Sequence, residues 1–372
     1  MPSGIGGVTA NGPRRGRLPL LKGSGMSSMR GRAVRAGAMM VGAVVATTVV
    51  VAADLAPIAT EQDRVWLLGN PPEPADNRNT PERVALGKAL FFDPRLSGNG
   101  TLSCSSCHNP ALGWSDGLRT GVGINGTVLG RATPTVVNTA YNTQFMWDGR
   151  KKSLEDQALG PMKTPEEMKT DFGAAIAMLN TIPGYREMFA KAYPGEPISE
   201  ETVAKAIAAF ERTVVSTDSR FDRWVAGDRA AITLQEWRGY QLFKDPAKGN
   251  CSVCHSAPNF TDNGYHNIGI AHAPGAEDAG RYKIRPLAVL KGAFKTPTLR
   301  DVELTGPYFH NGAAATLSDV VEHYARGGDD RSNLSKDVRK LDLSEQDKAD
   351  LVAFMKTLTG STRTASIPAL PQ

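Results

Sequence analysis

The sequence has few cysteines, few strand-forming runs and, over a long central stretch, no histidine. All four cysteines of the 372 residues lie in two copies of one pentapeptide. Runs that alternate apolar β-branched and polar residues are missing, which argues against a sheet architecture and favours an all-α one. No histidine occurs from residue 109 to residue 254. A metal bound in the first half therefore has no histidine from that stretch as a ligand.

The pentapeptide reads Cys104-Ser-Ser-Cys107-His108 in its first copy and Cys251-Ser-Val-Cys254-His255 in its second. C-x-x-C-H is the attachment signature of c-type haem, in which two thiols bond the porphyrin vinyl groups and the adjacent imidazole binds iron. A dithiol redox pair needs no histidine, and a zinc site usually has both cysteine pairs close together in sequence. We therefore predict two covalently bound c-type haems, attached through Cys104, Cys107, Cys251 and Cys254 and ligated by His108 and His255.

The first 53 residues contain seven lysines and arginines and no acidic residue. An apolar run over residues 36–53 ends in small residues, which is typical of a signal peptide. A retained N-terminal anchor is the alternative, because about 18 apolar residues is the lower limit for a spanning helix. Either interpretation places the rest of the chain in the periplasm.

Charge argues against a nucleic-acid partner. The whole chain carries +5, but seven of its 43 basic residues lie in the first 53 positions. The remaining chain has 36 basic against 38 acidic residues, a net charge of −2. No basic surface for nucleic acid is therefore indicated, and we expect none to bind.

The rest of the chain contains the same plan twice. Residues 87–94 (GKALFFDP) match residues 239–246 (GYQLFKDP) ahead of each haem motif, and from Thr133 onward the copies correspond at a constant offset of 163 residues. We expect two tandem cytochrome c-type haem domains with long loops around the haems. The predicted segments are a linker over 54–79, an N-terminal domain over 80–215 with the first haem, a C-terminal domain over 216–360 with the second haem, and a tail over 361–372.

Capping patterns predict where the main helices begin. Thr80-Pro81 opens the helix before the first haem motif, and Thr233-x-x-Glu236 opens the one before the second. Apolar spacing predicts a helix over residues 198–215. Ser344-x-x-Asp347 opens a last helix, which we expect to end at Gly360.

The two haems differ in what the sequence offers as a sixth iron ligand. A helix starting near Thr316 carries His323 and Tyr324 side by side, and the residues alone do not decide between them. The position equivalent to Tyr324 in the first half is Pro161, which has no ligand atom. We therefore expect the first haem to stay open for a small molecule, while the second is filled and passes electrons.

Two other ligand candidates for the second haem are weaker. Met355 has apolar neighbours at i−4 and i+3, which is the spacing of a core residue. His310 occupies the position of Trp147 in the repeat, which indicates a place beside or between the haems.

Four further motifs complete the pattern, namely Trp147-Asp-Gly-Arg150, Gln157-Ala-Leu-Gly-Pro161, Glu166-Glu-Met168 and Thr305-Gly-Pro-Tyr-Phe-His310. With the two C-x-x-C-H sequences they resemble the bacterial di-haem cytochrome c peroxidases and their relative MauG over residues 62–360. The resemblance implies an enzyme that reduces H2O2 at the first, peroxidatic haem with electrons from a small cytochrome c or cupredoxin, which enter at the second, electron-transfer haem. A MauG-type H2O2-dependent oxidation of a partner protein is the alternative that it implies.

The resemblance also implies roles for single residues. Trp147 would relay electrons between the haems, Gln157 and Glu167 would lie over the open iron, and Glu167 would be the acid–base group. Tyr324 would be the sixth ligand of the second haem, as in MauG, where common peroxidases have methionine. The residues themselves also allow Trp147 as a core aromatic and Glu167 as part of a helix cap opened by Thr164.

The chain departs from the common peroxidases at several positions. Their loop before Thr-Pro-Thr carries a histidine that blocks the first haem, whereas residues 121–126 contain none. The resemblance implies a calcium ion between the haems, held partly by the carbonyls of Thr305 and Pro307, but a family asparagine is Ala132 here. The surface tryptophan through which MauG oxidises its partner corresponds to Gly249.

Other classes of function remain open to the sequence. A di-haem electron carrier would have both irons six-coordinate, with a methionine of the first half as an unforeseen ligand. A peroxide sensor has no sequence feature of its own. Pro161 opposite Tyr324 favours the enzyme.

Overall fold

The computed structural model describes residues 55–272, 277–360 and 365–372. The predicted signal peptide or anchor lies outside the described residues. Within them, no helix combines the length and the apolar character needed to cross a membrane. The described residues belong to one compact unit.

Helices dominate the described chain, which confirms the all-α prediction. One short antiparallel pair of strands, β1 (Tyr265–His266) with β2 (Phe294–Lys295), is the regular sheet of this part of the chain. The α-helices are α1 (Pro81–Phe92), α2 (Cys104–Cys107), α3 (Leu154–Lys163), α4 (Phe172–Thr181), α5 (Pro183–Ala192), α6 (Glu200–Glu211), α7 (Arg220–Val225), α8 (Leu234–Lys244), α9 (Leu317–Ala325) and α10 (Glu345–Lys356).

The helices begin where the capping patterns predicted. Thr80 accepts a hydrogen bond from the backbone N–H of Arg83 at 3.2 Å, and Thr233 forms a reciprocal capping box with Glu236. Ser344 caps α10 in the same way with Asp347.

Two helices end earlier than predicted. The helix predicted over residues 198–215 is α6, which is capped by Ser199 and stops at Glu211. The β-branched run that follows it has a low helix propensity, and the Thr213 hydroxyl donates instead to the carbonyl of Phe210. Likewise, α10 ends at Lys356 and does not reach Gly360. At its end, the Thr357 hydroxyl donates to the carbonyl of Phe354.

The internal repeat appears as the same helix pair formed twice. Helix α1 packs against α6, and α8 packs against α10. A Cβ added at Gly87 would lie 1.8 Å from the carbonyl oxygen of Ala206, and one at Gly239 would lie 1.9 Å from that of Asp350. Each glycine therefore allows a close backbone approach that no other residue permits.

Each half has its own apolar core. The first core is built on α1 and α6, and the second on α8 and α10. Trp66, from the stretch predicted as a linker, packs into the second core with its ring stacked on Phe260 at 4.4 Å between centroids. The two haem motifs follow α1 and α8, so the cores position them.

Candidate haem sites

Both haem motifs present an imidazole in the orientation that iron ligation needs. The Nδ1 atom of His108 lies 3.2 Å from the carbonyl of Trp114, and that of His255 lies 3.0 Å from the carbonyl of Phe260. A carbonyl only accepts, so each Nδ1 carries the proton and donates it. The Nε2 atom of each ring is thereby left free to bind a metal.

Burial keeps these groups in their neutral forms. It lowers the pKa of His255 to about 4 and also lowers the pKa of His108. It raises the pKa of the Cys107 thiol to about 11 and that of Cys251 to about 12. All four cysteines are free of disulfides, so every thiol is available to bond a haem vinyl group.

One cavity runs between the two motifs. Its lining comes from both halves of the chain and includes His108, His255, Trp147, Gln157 and Tyr324. His108, His255, Cys251 and Cys254 line this largely apolar cavity, and Cys104 and Cys107 precede His108 in the first motif. These residues fit two covalent haems.

Trp147 and His310 lie together in this cavity. The Trp147 Nε1–H donates to the carbonyl of Ala132 at 2.8 Å, and its ring meets that of His310 edge to face at 6.5 Å. The His310 ring stacks on Phe294 with 3.6 Å between centroids. Burial lowers the pKa of His310 to about 3, so a neutral aromatic group lies beside Trp147, where the repeat had indicated it.

The two neighbouring candidates on α9 differ in their surroundings. The Nε2 atom of His323 lies 2.8 Å from the carbonyl of Ile268, and its Nδ1 lies 3.2 Å from a carboxylate oxygen of Asp329. Both ring nitrogens of His323 are therefore occupied by the protein.

Tyr324 instead lines the cavity. Burial and the nearby cysteines of the second motif, Cys251 and Cys254, raise the pKa of its hydroxyl. Met355 also borders the cavity, within the second core. This geometry favours Tyr324 over His323 as the group that faces the second haem.

Helix α3 is the first-half counterpart of α9. It carries Gln157 into the cavity lining and places Pro161 in its last turn. The offset of 163 residues maps Leu154, at the start of α3, onto Leu317 at the start of α9. Pro161 and Tyr324 therefore occupy the same position of the same helix in the two halves.

Glu167 lies outside the cavity lining and close enough to Cys107 for its charge to act on that thiol. Helix α3 ends at Lys163, and the chain then forms a turn in which the Glu167 N–H donates to the carbonyl of Thr164 at 3.1 Å. The interpretation of Thr164 as the cap of a new helix is therefore wrong. Its hydroxyl donates instead to the carbonyl of Gly160. Burial raises the pKa of Glu167, and the charge of Arg150 opposes the rise.

The loop that lacks the blocking histidine is fastened to this same turn. The Ile124 N–H donates to the carbonyl of Glu167 at 2.8 Å, and a Cβ at Gly123 would lie 1.8 Å from the carbonyl oxygen of Glu166. The loop therefore packs against the Glu166-Glu167 turn through its backbone.

Two charged residues of the cavity lining were missed by sequence reasoning. Burial raises the pKa of the Glu211 carboxyl to about 8, and its Oε2 has no hydrogen-bond partner in the described structure. Its place four residues after Ile207, on the apolar face of α6, was a signal that could have revealed it. Burial lowers the pKa of Lys295 to about 8, and its Nζ donates to the carbonyl of Thr296 at 2.7 Å.

Candidate metal ligands outside the haems are few. Within the described ranges, one group of three side chains has ligand atoms close together, namely Cys254, Asp262 and His266. Cys254 belongs to the second C-x-x-C-H motif, so the group overlaps the candidate haem site. Thr305 and Pro307 also line the cavity.

Comparisons with known proteins agree with this geometry. The family model described as di-haem cytochrome c peroxidase matches residues 81–230, and that described as cytochrome c matches residues 237–359. The chain is 46% identical over 303 residues to the methylamine utilization protein MauG of Methylorubrum extorquens, which covers 81% of this chain and 84% of that protein. This chain belongs to the di-haem cytochrome c peroxidase and MauG family.

Other members of the family support the same assignment. The cytochrome c551 peroxidase of Nitrosomonas europaea is 38% identical over 297 residues, covering 78% of this chain and 85% of that protein. A MauG-like protein associated with microbial copper homeostasis has a similar structure, with a TM-score of 0.76 and 34% identity over 81% of this chain and 95% of its own. The predicted family, the two cytochrome c-type domains and the haem cofactors are confirmed, and the chain is an oxidoreductase.

Proposed function

We propose that this di-haem oxidoreductase reduces hydrogen peroxide in the first half of its cavity and receives electrons at the second half from a small redox protein. The observation that carries the proposal is the pairing of Pro161 with Tyr324 at equivalent positions of α3 and α9. One half offers a ligand where the other offers none. When bound, the haems would supply peroxide binding at an open iron and one-electron transfer at a filled one.

The protein's own groups then have separate tasks in this proposal. Gln157 reaches the cavity from α3 and would orient the peroxide. Glu167 would carry the proton, because it lies near Cys107 of the first haem motif and burial raises its pKa towards the range in which a carboxyl both donates and accepts. Trp147 would conduct electrons between the halves, since its ring lies in the cavity lining beside His310.

Location and calcium belong to the proposal as well. The basic and apolar residues 1–53 support export to the periplasm, with membrane anchoring if they are retained. Calcium would be held partly by the carbonyls of Thr305 and Pro307, which line the cavity, as Ala132 also does. Metal analysis of the purified protein, before and after treatment with a chelator, tests this ion.

A second candidate function is the MauG-type oxidation of a partner protein. Tyr324 and the 46% identity to MauG of Methylorubrum extorquens favour it. Gly249 removes the surface tryptophan of that electron route. Mass spectrometry of the partner after peroxide treatment separates the candidates, because only MauG-type chemistry leaves a lasting covalent change in the partner.

The proposal is tested by steady-state peroxide consumption with a reduced blue copper protein as donor. Glu167→Gln should lower kcat about a hundredfold, a typical effect of losing an acid–base group. Glu166→Gln is the matched control, because Glu166 is exposed in the same turn, and it should leave kcat unchanged. Equal rates for Glu167→Gln and wild type would refute the role of Glu167. A wild type that consumes no peroxide with any donor would refute the function.

A further inference from the structure

A loop of the second half presents a basic and apolar surface to solvent. Every residue from 282 to 289 is exposed, and the exposed fractions of four large apolar residues are 38% for Tyr282, 45% for Ile284, 45% for Leu287 and 71% for Val289. Four basic residues, Arg281, Lys283, Arg285 and Lys291, lie among them, and residues 279–300 include no acidic one. We call residues 281–291 the exposed loop. Exposed apolar groups within a charged rim are typical of a protein interface.

The exposed loop is held in a defined shape. At its base, the Arg281 N–H donates to the carbonyl of Ala293 at 2.8 Å, and the Gly292 N–H donates to that of Ala279 at 3.0 Å. Within the loop, the Asn333 side chain donates to the carbonyls of Ala288 at 3.1 Å and Lys291 at 2.8 Å. The apolar groups are therefore exposed by a fixed backbone and not by a frayed one.

The same loop is attached to the residues around Trp147. The Arg281 guanidinium donates to the carbonyls of Asp148 at 2.8 Å and Gly149 at 2.7 Å, the two residues that follow Trp147. Beyond the loop, the Lys295 N–H donates to the carbonyl of Trp147 itself at 2.8 Å. A partner bound on the loop would therefore sit next to the proposed electron relay.

We propose that the exposed loop is the docking surface for a small acidic redox protein. This inference rests on the proposed function, because it names the kind of partner that supplies the electrons. The exposed basic side chains of Lys283, Arg285 and Lys291 match an acidic rim and guide the encounter, while the apolar side chains form the contact that excludes water.

An anionic membrane surface carries the same sign of charge as an acidic protein, but the structure favours a protein as the partner. The loop contains two three-residue turns, Arg281–Lys283 and Ala288–Leu290, and no amphipathic helix that could lie in a lipid interface. The exposed loop is bonded to the residues that follow Trp147. That position suits a partner that delivers electrons, whereas a lipid surface delivers none.

Calorimetric binding of a purified acidic blue copper protein to the haem-loaded full chain tests the proposal. Reversing two exposed charges, Arg285→Glu with Lys291→Glu, should raise Kd about tenfold, because favourable pairs become repulsive. Val289→Ser should also weaken binding, and added salt should weaken binding to the wild type. Arg186→Glu is the matched control, because Arg186 is exposed on α5 in the first half, and it should bind as the wild type does.

Three results would overturn the docking surface. These are a wild-type Kd for the double reversal, binding that salt does not affect, and an equal loss for Arg186→Glu. Sedimentation with phosphatidylglycerol vesicles can give a fourth contradicting result. In that result the wild type binds the vesicles but not the copper protein, and the double reversal binds neither.

A dye donor separates this inference from the proposed function. If the double reversal oxidises a small organic dye with peroxide at the wild-type rate and loses only its binding to the copper protein, both proposals stand. If the wild type consumes no peroxide with the dye or the copper protein, the proposed function fails. The calorimetric Kd values then still decide whether the exposed loop is a docking surface.

Discussion

Replacing Glu211 by glutamine should remove a loss of stability that the wild type suffers as pH rises. The Glu211 carboxyl lies in the wall of the haem cavity at the end of α6, and its Oε2 has no hydrogen-bond partner in the described structure. Burial raises its pKa from 4.5 to about 8, with the charge of Glu155 adding to the rise and that of Arg212 opposing it. The folded protein therefore holds this carboxyl protonated at neutral pH.

The sign of the effect follows from proton binding in the two states. Above pH 4.5 the unfolded chain releases the Glu211 proton, whereas the folded chain retains it up to about pH 8. The free energy of unfolding therefore falls with rising pH across that window. At about 1.4 kcal/mol for each pH unit, the wild type would lose at most about 5 kcal/mol through this one group. Glutamine keeps the shape of the side chain and does not titrate.

Urea unfolding of the haem-loaded protein at several pH values from about 5 to about 8 measures this effect. The difference in unfolding free energy between Glu211→Gln and wild type should grow with pH and favour the variant. Glu201→Gln is the control, because Glu201 is exposed on the same helix. A constant difference between Glu211→Gln and wild type would refute the buried, protonated carboxyl.

Two further predictions concern the second half. Tyr324→Phe should convert the second haem from a low-spin to a high-spin ferric signal, because it removes the proposed sixth ligand. His323→Gln should leave that signal unchanged. The reverse result would assign the ligand to His323. Gly239→Ala should destabilise the protein by about 3 kcal/mol in urea unfolding, because the new methyl group would push α8 away from the backbone of Asp350. A variant as stable as the wild type would contradict the close packing of α8 on α10.

Much of the fold could be predicted because its signals are local. The spacing within Cys104-Ser-Ser-Cys107-His108, the Thr233 capping box and the repeated residues 87–94 are each readable within a few positions. The equivalence of Pro161 with Tyr324 followed from a constant offset between the copies, which the structure reproduces in α3 and α9.

Features that depend on distant contacts could not be predicted in the same way. The choice between His323 and Tyr324 depends on the carbonyl of Ile268, 55 positions before His323, which occupies one imidazole nitrogen. The turn at Glu167 has the sequence of a helix cap, but the Thr164 hydroxyl donates to the carbonyl of Gly160 and the turn packs against the loop at Ile124. The exposed loop is attached beside Trp147 by the bonds of Arg281 to the carbonyls of Asp148 and Gly149, which sequence spacing does not reveal.

Low-temperature EPR of the purified, fully oxidised protein tests the central claim most directly. The claim is that the first haem is open beside Pro161 and the second is filled by Tyr324. The account predicts one high-spin ferric signal together with one low-spin signal in the resting protein. Two low-spin signals would show that the first iron is already filled, and would contradict the open site on which the proposed peroxide chemistry depends.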